Sequence, residues 1–390
     1  MVNLETQVLG ITFPNPYILA SGPPTATGPM IIEAFKAGWG GAVTKTIALE
    51  PTPPPSPRVH VIKTGRNKWG MLDIELFTEL TVDRWENDLD LIRADFPDRP
   101  IIASIAGGGD PYDWQEVIRR IEPHGVNAFE LNVSCPNFSE GKGTKLGQDP
   151  EALRMVVSWV REATDLPVIA KLTPNVTDII EIGQAAIDGG AHAFTMGNSL
   201  LGIGGIDLDT YEVSPSVDGY SIFGGYGGPG LKPVALRCTA SLAKALPLPI
   251  FGCGGISKWN DAAEYLATGA SAVQICTEVM WSGHQIIEKL NEGLEKYLIK
   301  KNFASPADIV GKALPNIVVF PELDLSLDLV AVVNERCVGC DICEKACHSG
   351  GYQAITVVDK FAVIDLAKCD GCGLCLEVCP VNAITMDVRA

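Results

Sequence analysis

The chain lacks the features that would direct it to a membrane or to nucleic acid. Its 390 residues include no apolar stretch of the roughly 18 residues needed to cross a bilayer. The opening "MVNLETQVLG" has neither the basic nor the apolar segment of a secretion signal. With 30 Lys and Arg against 47 Asp and Glu, the net charge of −17 disfavours polyanionic partners. We therefore expect a cytoplasmic protein.

Eight short apolar runs alternate with amphipathic segments between residue 17 and about residue 303. The runs are "YILASG", "GAVTKT", "IIASIAG", "AFELNVSC", "PVIAKLTP", "AFTMGNS", "PIFGCGG" and "SAVQICTEV". Unbroken apolar runs are typical of strands covered on both faces, and alternation with helices indicates a parallel sheet. Eight such units predict a (β/α)8 TIM barrel. A doubly wound sheet is the rival, but "SGPPTATGP" follows the first run where that fold has Gly-x-Gly-x-x-Gly.

Polar residues and glycines cluster where the predicted strands end, which is where such barrels carry their chemistry. They are Ser21, Lys45, Asn132, Cys135, Lys171, Asn198, Ser199, Gly254, Gly255, Cys276 and Thr277. The nearby stretches "GGYGGPGLKP" (residues 224–233) and "GCGGI" (residues 252–256) are predicted to bind a phosphate through backbone N–H groups. Together with two lysines, which would favour an anionic reduced flavin, they indicate a flavin site.

Cysteine is sparse before residue 337, with Cys135, Cys238, Cys253 and Cys276, and then dense. The runs "CVGCDICEKAC" and "CDGCGLCLEVC" both read C-x₂-C-x₂-C-x₃-C, a pattern in which the fourth cysteine ligates the other run's cluster. The predicted ligands of two [4Fe–4S] clusters are Cys337, Cys340, Cys343 and Cys379 for one and Cys369, Cys372, Cys375 and Cys347 for the other. Zinc is the alternative, but two interleaved runs of four fit it poorly.

These patterns predict three segments along the chain. Residues 1–305 form the catalytic barrel, 306–333 a linker, and 334–390 a ferredoxin-like domain with two clusters. Iron–sulfur clusters carry single electrons, whereas a flavin also transfers hydride. With no nicotinamide-binding fingerprint in the sequence, we expect electrons to come from a partner protein, and we expect an oligomer.

Five stretches resemble one flavoprotein family across residues 1 to about 303. They are "ELNVSCPN", "AKLTPNVTDI", "GNS", "GGYGGPGLKP" and "CGGI". They are similar to the dihydroorotate and dihydropyrimidine dehydrogenase family. With the two-cluster tail, the whole chain resembles the branch formed by the catalytic FMN and iron–sulfur subunits of bacterial NAD-dependent dihydropyrimidine dehydrogenases. The resemblance implies a partner subunit with FAD and an NAD(P)H site.

The resemblance also implies roles for individual residues. FMN would bind at Ala20, Ser21, Lys45, Thr46, Asn132, Lys171, Gly227, Gly228, Gly254, Gly255, Cys276 and Thr277. Cys135 would protonate C5 of a uracil-like ring while FMN delivers hydride to C6. The substrate would contact Asn132, Asn198, Ser199, Asp73, Glu75 and Asn137.

The sequence is compatible with several substrates. The first hypothesis is reduction or re-oxidation of the C5=C6 bond of uracil or thymine. Asp73 stands where the dihydropyrimidine enzymes carry Asn, whereas Asn137 and "NKWGML" (residues 67–72) look more like the dihydroorotate branch. Dihydroorotate or a related cyclic amide is therefore the alternative. An electron-transfer module whose barrel has no catalytic role is the alternative from another class.

Overall fold

In a computed structural model that describes residues 2–133 and 144–389, the chain forms two compact units, Met1–Asn316 and Ile317–Ala390. The strands of the first unit are β1 (Thr6–Val8), β2 (Ile11–Phe13), β3 (Tyr17–Leu19), β4 (Gly41–Val43), β5 (Val59–Thr64), β6 (Asn67–Asp73), β7 (Ile101–Ile105), β8 (Ala128–Asn132), β9 (Val168–Leu172), β10 (Ala193–Met196), β11 (Leu200–Gly202), β12 (Gly224–Gly227), β13 (Ile250–Cys253) and β14 (Ala272–Ile275). Its α-helices are α1 (Gly28–Ala37), α2 (Val82–Asp95), α3 (Pro111–Ile121), α4 (Thr144–Gln148), α5 (Pro150–Arg161), α6 (Ile179–Asp188), α7 (Lys232–Ala245), α8 (Trp259–Ala267), α9 (Thr277–Ser282) and α10 (Ile286–Lys301).

Eight of these strands close into a parallel barrel in the order β3-β4-β7-β8-β9-β10-β13-β14. Each of the eight apolar runs supplies one of them, and spatial order follows chain order, so the predicted TIM barrel is confirmed. Among the described helices, none is long and apolar enough to cross a membrane.

The barrel interior changes from apolar to polar along its axis. One buried cluster joins inward-facing residues such as Ile102, Ala128 and Ile169 to Val8 and Phe13 of the β1–β2 hairpin. Side chains alternate along a strand, so the residue two positions on also faces inward. These next positions hold buried polar residues: Ser104, Glu130, Lys171, Thr195 and Gln274. The polar layer lies toward the carboxyl ends of the strands, where barrels carry their active sites.

An antiparallel sheet, β11-β12-β6-β5, accompanies the barrel and was not predicted from the sequence. The first four residues of the predicted glycine loop form its strand β12, which pairs with β6 so that Gly225 lies opposite Asp73. A strand that reads Gly-Gly-Tyr-Gly shows no apolar alternation, which explains why the sequence suggested only a loop.

The second unit is small and built on two antiparallel strand pairs. Its elements are β15 (Leu329–Val333), α11 (Ile342–Ser349), β16 (Ile355–Val358), β17 (Phe361–Ile364), α12 (Leu374–Glu377) and β18 (Ile384–Val388). The predicted linker, residues 306–333, includes β15, which instead pairs with β18 inside this unit. The buried core of the second unit joins four aliphatic residues, Ala331, Ile355, Ala362 and Ile384, to the thiols of Cys343 and Cys375.

Candidate active site and cysteine-lined cavities

The predicted barrel residues that the structure describes all line one cleft at the carboxyl ends of the barrel strands. They are Ala20, Ser21, Lys45, Thr46, Asp73, Glu75, Asn132, Lys171, Asn198, Ser199, Gly227, Gly228, Gly254, Gly255, Cys276 and Thr277. The cleft has two adjoining parts, and Ser21, Asp73 and Lys171 belong to the lining of both. Cys135 and Asn137 lie outside the described residues, so their roles stay predictions.

Both lysines of the cleft are buried and paired with a carboxylate. Lys45 Nζ lies 2.6 Å from Glu75 Oε1, and Arg58 Nε lies 3.6 Å from Glu75 Oε2. Lys171 Nζ lies 3.1 Å from Oε1 of Glu130. Burial lowers the pKa of the Lys171 amine, but the charge of Glu130 raises it, and the net direction is upward. Lys171 is therefore a fixed cation in the wall of the cleft.

Glu130 is the centre of a buried polar network inside the barrel. Its Oε2 accepts hydrogen bonds from Thr195 Oγ1 and from Gln274 Nε2, both at 2.7 Å, while Oε1 faces Lys171. These contacts join β8, β9, β10 and β14. Sequence reasoning missed Glu130 and Gln274, although the two-residue period of β8 places Glu130 on the same face as Asn132.

Amide and hydroxyl groups form a second cluster in the cleft. Asn132 Nδ2 donates to Thr46 Oγ1 at 2.8 Å, and Thr46 Oγ1 lies 3.0 Å from Ser104 Oγ and 3.3 Å from Ser21 Oγ. These bonds hold the Asn132 amide while its Oδ1 stays buried, with no hydrogen-bond partner within the described chain. Asn132 is thus positioned to bind a ligand through that oxygen.

Glycines from two loops lie against each other in the cleft. Gly228, Gly254 and Gly255 have φ values of 92°, 126° and 71°, in the left-handed region that favours glycine. A Cβ on Gly255 would meet the Gly228 carbonyl oxygen at 2.9 Å. The 3-10 turn Pro229–Leu231 and α7 follow directly. This close backbone approach beside a helix start suits a phosphate group.

The cleft fits the flavin that the sequence predicts. Three buried polar atoms of its lining, Asn132 Oδ1, Ser257 Oγ and Gln274 Oε1, have no hydrogen-bond partner among the residues described. Buried polar atoms are nearly always satisfied, so a bound group with donors and acceptors would supply what the protein leaves open. A flavin phosphate would lie at the glycines, and its ring system would lie near Lys45 and Lys171, which also line the cleft.

Asp73 brings a carboxyl group with a raised pKa into the same cleft. Burial raises its pKa to about 6, although the Glu75 backbone N–H, which donates to Asp73 Oδ1 at 2.5 Å, lowers it. Glu75 adds a second carboxylate to this part of the lining. At neutral pH the negative charge of Asp73 therefore offsets part of the positive charge that the two lysines bring to the cleft.

In the second unit, the predicted cluster ligands surround two separate cavities. Cys337, Cys340, Cys343 and Cys379 line one, and Cys347, Cys369, Cys372 and Cys375 line the other. Over residues 2–133 and 144–389, no three His, Cys, Asp or Glu side chains converge on a point that would hold a single metal ion. The thiols instead face a shared space, and this suits a multi-iron cluster with one cysteine on each iron.

Backbone N–H groups also point at the sulfurs. Ala362 N donates to Cys337 Sγ at 3.5 Å, Ala354 N to Cys347 Sγ at 3.2 Å, and Ala383 N to Cys379 Sγ at 3.2 Å. Hydrogen bonds to ligand sulfurs are among the factors that set the potential of an iron–sulfur cluster. Both cavities therefore fit [4Fe–4S] clusters.

Comparison with known proteins identifies both parts of the chain. The dihydroorotate dehydrogenase family profile matches residues 3–298, and a 4Fe-4S dicluster domain profile matches residues 331–386. The chain is 36% identical to the NAD-dependent dihydropyrimidine dehydrogenase subunit PreA of Escherichia coli K12, over 98% of this chain and 95% of that protein. It is 40% identical to the dihydroorotate dehydrogenase B (NAD(+)) catalytic subunits of Pyrococcus furiosus and Thermococcus kodakarensis, over 80% of this chain and 99% of each.

The raised pKa of Asp73 predicts a pH-dependent stability difference between the protein and its Asp73→Asn variant. A buried carboxyl that ionises near pH 6 when folded, but near pH 4 when unfolded, destabilises the fold as pH rises through this range. Asn carries no such penalty. Relative to the parent, the free energy of unfolding of D73N should therefore increase by about 1 kcal/mol between pH 5 and pH 8.

Thermal unfolding at several pH values measures this gain. The matched control is Asp95→Asn, at an exposed position in the last turn of α2. If the stability difference between D73N and the parent stays constant over the pH range, Asp73 ionises as an ordinary surface carboxyl.

Proposed function

The chain belongs to the dihydroorotate dehydrogenase family, and from this premise we propose that it reduces the C5=C6 bond of uracil or thymine, or catalyses the reverse reaction. It is an oxidoreductase, a flavin and iron–sulfur dehydrogenase. We propose that its flavin is FMN and that its second unit carries two [4Fe–4S] clusters. Electrons would come from a partner subunit with FAD and an NAD(P)H site. Similarity to the E. coli subunit over nearly the whole chain supports this reading.

The chain's own residues would bind, orient and protonate the ring. Bound FMN supplies the hydride, and Gly228, Gly254 and Gly255 would hold its phosphate. Cys135 would give a proton to C5 of the ring, because a thiol with an ordinary pKa of about 8.5 is mostly protonated at neutral pH yet easily ionised. The remaining ring contacts would come from Asn132, Asn198, Ser199, Asp73, Glu75 and Asn137.

The charge of the cleft supports a neutral ring over one that carries a carboxylate. Lys45 is engaged by Glu75 at 2.6 Å and Lys171 by Glu130 at 3.1 Å. A carboxylate such as that of orotate would meet lysines that already have a counter-ion, in a cleft that the carboxyl group of Asp73 also lines. Like charges at close range disfavour binding. This is the observation that carries the choice of uracil or thymine.

Two alternatives have specific support. The archaeal relatives at 40% identity favour dihydroorotate as the substrate. Asp73 favours a different cyclic amide, since an ionised carboxylate accepts hydrogen bonds but donates none to a ring carbonyl.

Substrate choice can be read from reoxidation of the reduced protein. The anaerobic protein is reduced with dithionite, freed of excess reductant, and mixed with uracil, thymine or orotate, while absorbance follows flavin and clusters. We expect fast reoxidation by uracil or thymine and slow reoxidation by orotate, because the cleft offers no unpaired lysine among the described residues. Fast reoxidation by orotate alone would move the chain to the dihydroorotate branch. No reoxidation by any of the three would favour another cyclic amide.

Replacement of Cys135 separates an enzyme from a passive electron carrier. In Cys135→Ser the hydroxyl is a much weaker acid, so we expect reoxidation by the accepted pyrimidine to slow by about 10²–10⁴-fold. Reduction by dithionite should not change. Cys238→Ala, at a buried thiol on α7, is the control and should react like the parent. An unaltered rate in C135S would remove the proposed acid and favour a barrel without catalytic role.

Iron content and spectroscopy test the number of clusters. We expect about eight irons per chain in the parent and about four in Cys340→Ser and in Cys372→Ser, because each variant loses a ligand of a different cluster. Each single variant should keep the paramagnetic-resonance signal that the other loses, and Cys238→Ala should keep both. About four irons in the parent, or loss of the same signal in both variants, would contradict two independent clusters.

A further inference from the structure

Glu130 has a role that neither the family match nor the proposed reaction assigns. It is fully buried, and its carboxylate has three donors around it. Thr195 Oγ1 and Gln274 Nε2 occupy Oε2 at 2.7 Å each, and Lys171 Nζ lies 3.1 Å from Oε1. With one oxygen held by two neutral donors, the other is fixed toward Lys171. The carboxylate therefore cannot turn away without losing hydrogen bonds inside the barrel.

Lys171 depends on this carboxylate for its charge. Its side chain is only 5% exposed. A buried ammonium without a counter-ion loses several kcal/mol of hydration, and such lysines shed their proton near or below neutral pH. The hydroxyl of Thr195 and the amide of Gln274 bring no charge that could replace that of Glu130.

We propose that Glu130 is a positioning residue that keeps Lys171 protonated in the oxidised enzyme, so that reduction of the flavin draws one proton from solvent rather than two. The proposal rests on the proposed function in one respect, namely that a flavin occupies the cleft. Two electrons and one proton give the anionic reduced flavin. Because Lys171 is already protonated, it takes up no further proton when this charge forms.

The other titratable groups around Lys171 do not change the number of protons taken up on flavin reduction between pH 7.5 and 9. Burial raises the pKa of the Cys276 thiol to about 12 and also raises that of Cys253. Asp73, with a pKa of about 6, is ionised throughout the range. Lys45 and Glu75 form their own ion pair in the same cleft. Glu130 raises the pKa of Lys171 in spite of its burial.

The first experiment measures how the flavin's reduction equilibrium varies with pH from 7.5 to 9, using the full chain with its clusters. In the parent, one proton per two electrons lowers the equilibrium constant about tenfold per pH unit. In Glu130→Gln, Lys171 begins neutral and takes up a second proton, so the constant should fall about a hundredfold per unit. Glu130→Asp, which keeps the charge, and Thr195→Val, which removes one hydrogen bond, should behave like the parent.

The second experiment needs no flavin. In E130Q the folded chain holds Lys171 neutral while the unfolded chain binds its proton, so stability rises with pH. The Tm of E130Q should therefore lie below that of the parent by an amount that decreases from pH 7 to pH 9. The difference in Tm between T195V and the parent should stay constant over the same range.

The two measurements distinguish failure of this inference from failure of the proposed function. A flavin-loaded E130Q with the parent's tenfold dependence would overturn the role of Glu130. If E130Q loses its flavin, a constant Tm difference would overturn the role and a narrowing one would support it. A parent chain without any flavin would refute the proposed function, while the Tm comparison would still decide whether Glu130 holds the proton on Lys171.

Discussion

A lysine charge buried inside the barrel needs a carboxylate beside it, and this requirement organises the catalytic end of the molecule. Lys171 and Glu130 come from adjacent strands of the barrel, and Thr195 and Gln274 complete their hydrogen bonding from two more. Lys45 is held in the same way by Glu75. Because cations are paired before any ligand arrives, the cleft has fixed electrostatics that need little reorganisation when charge develops on a bound group.

Much of this arrangement follows from local sequence patterns. Eight apolar runs defined the barrel because strands buried on both faces leave a clear signal, and the cysteine spacing separated two ligand sets that surround two cavities. Residues at strand ends converged as expected, because parallel strands bring their carboxyl ends to one rim. The family resemblance is confirmed by a match over residues 3–298.

Other features depended on contacts that no local pattern contains. Glu130 is a charged residue within an apolar run, where the sequence alone gives it no role. Its role depends on its partners on β9, β10 and β14. Strand β12 consists of three glycines and a tyrosine, and it exists because β6 and β11 pair with it. Strand β15 lies far from β18 in sequence and falls within the predicted linker. Its assignment depended on a pairing between the two ends of the small unit.

The two units contain complementary chemistry within one chain. The first offers a cleft with fixed charges, glycine backbones and buried polar atoms that have no partner among the described residues, and these suit a flavin and a small ring. The second offers two cysteine-lined cavities with N–H groups aimed at sulfur. Single-electron carriers and a hydride-transferring flavin are useful together, because the flavin can collect electrons singly and deliver them as a pair.

The most direct test of this account is a crystal structure of the flavin-loaded protein. We predict the flavin in the barrel cleft, in contact with Lys171 and with the glycines at positions 228, 254 and 255, and Glu130 still bonded to Lys171. A flavin bound elsewhere, or a Lys171 side chain that has left Glu130 and turned out of the cleft, would contradict the central claim that a preformed buried ion pair prepares this site.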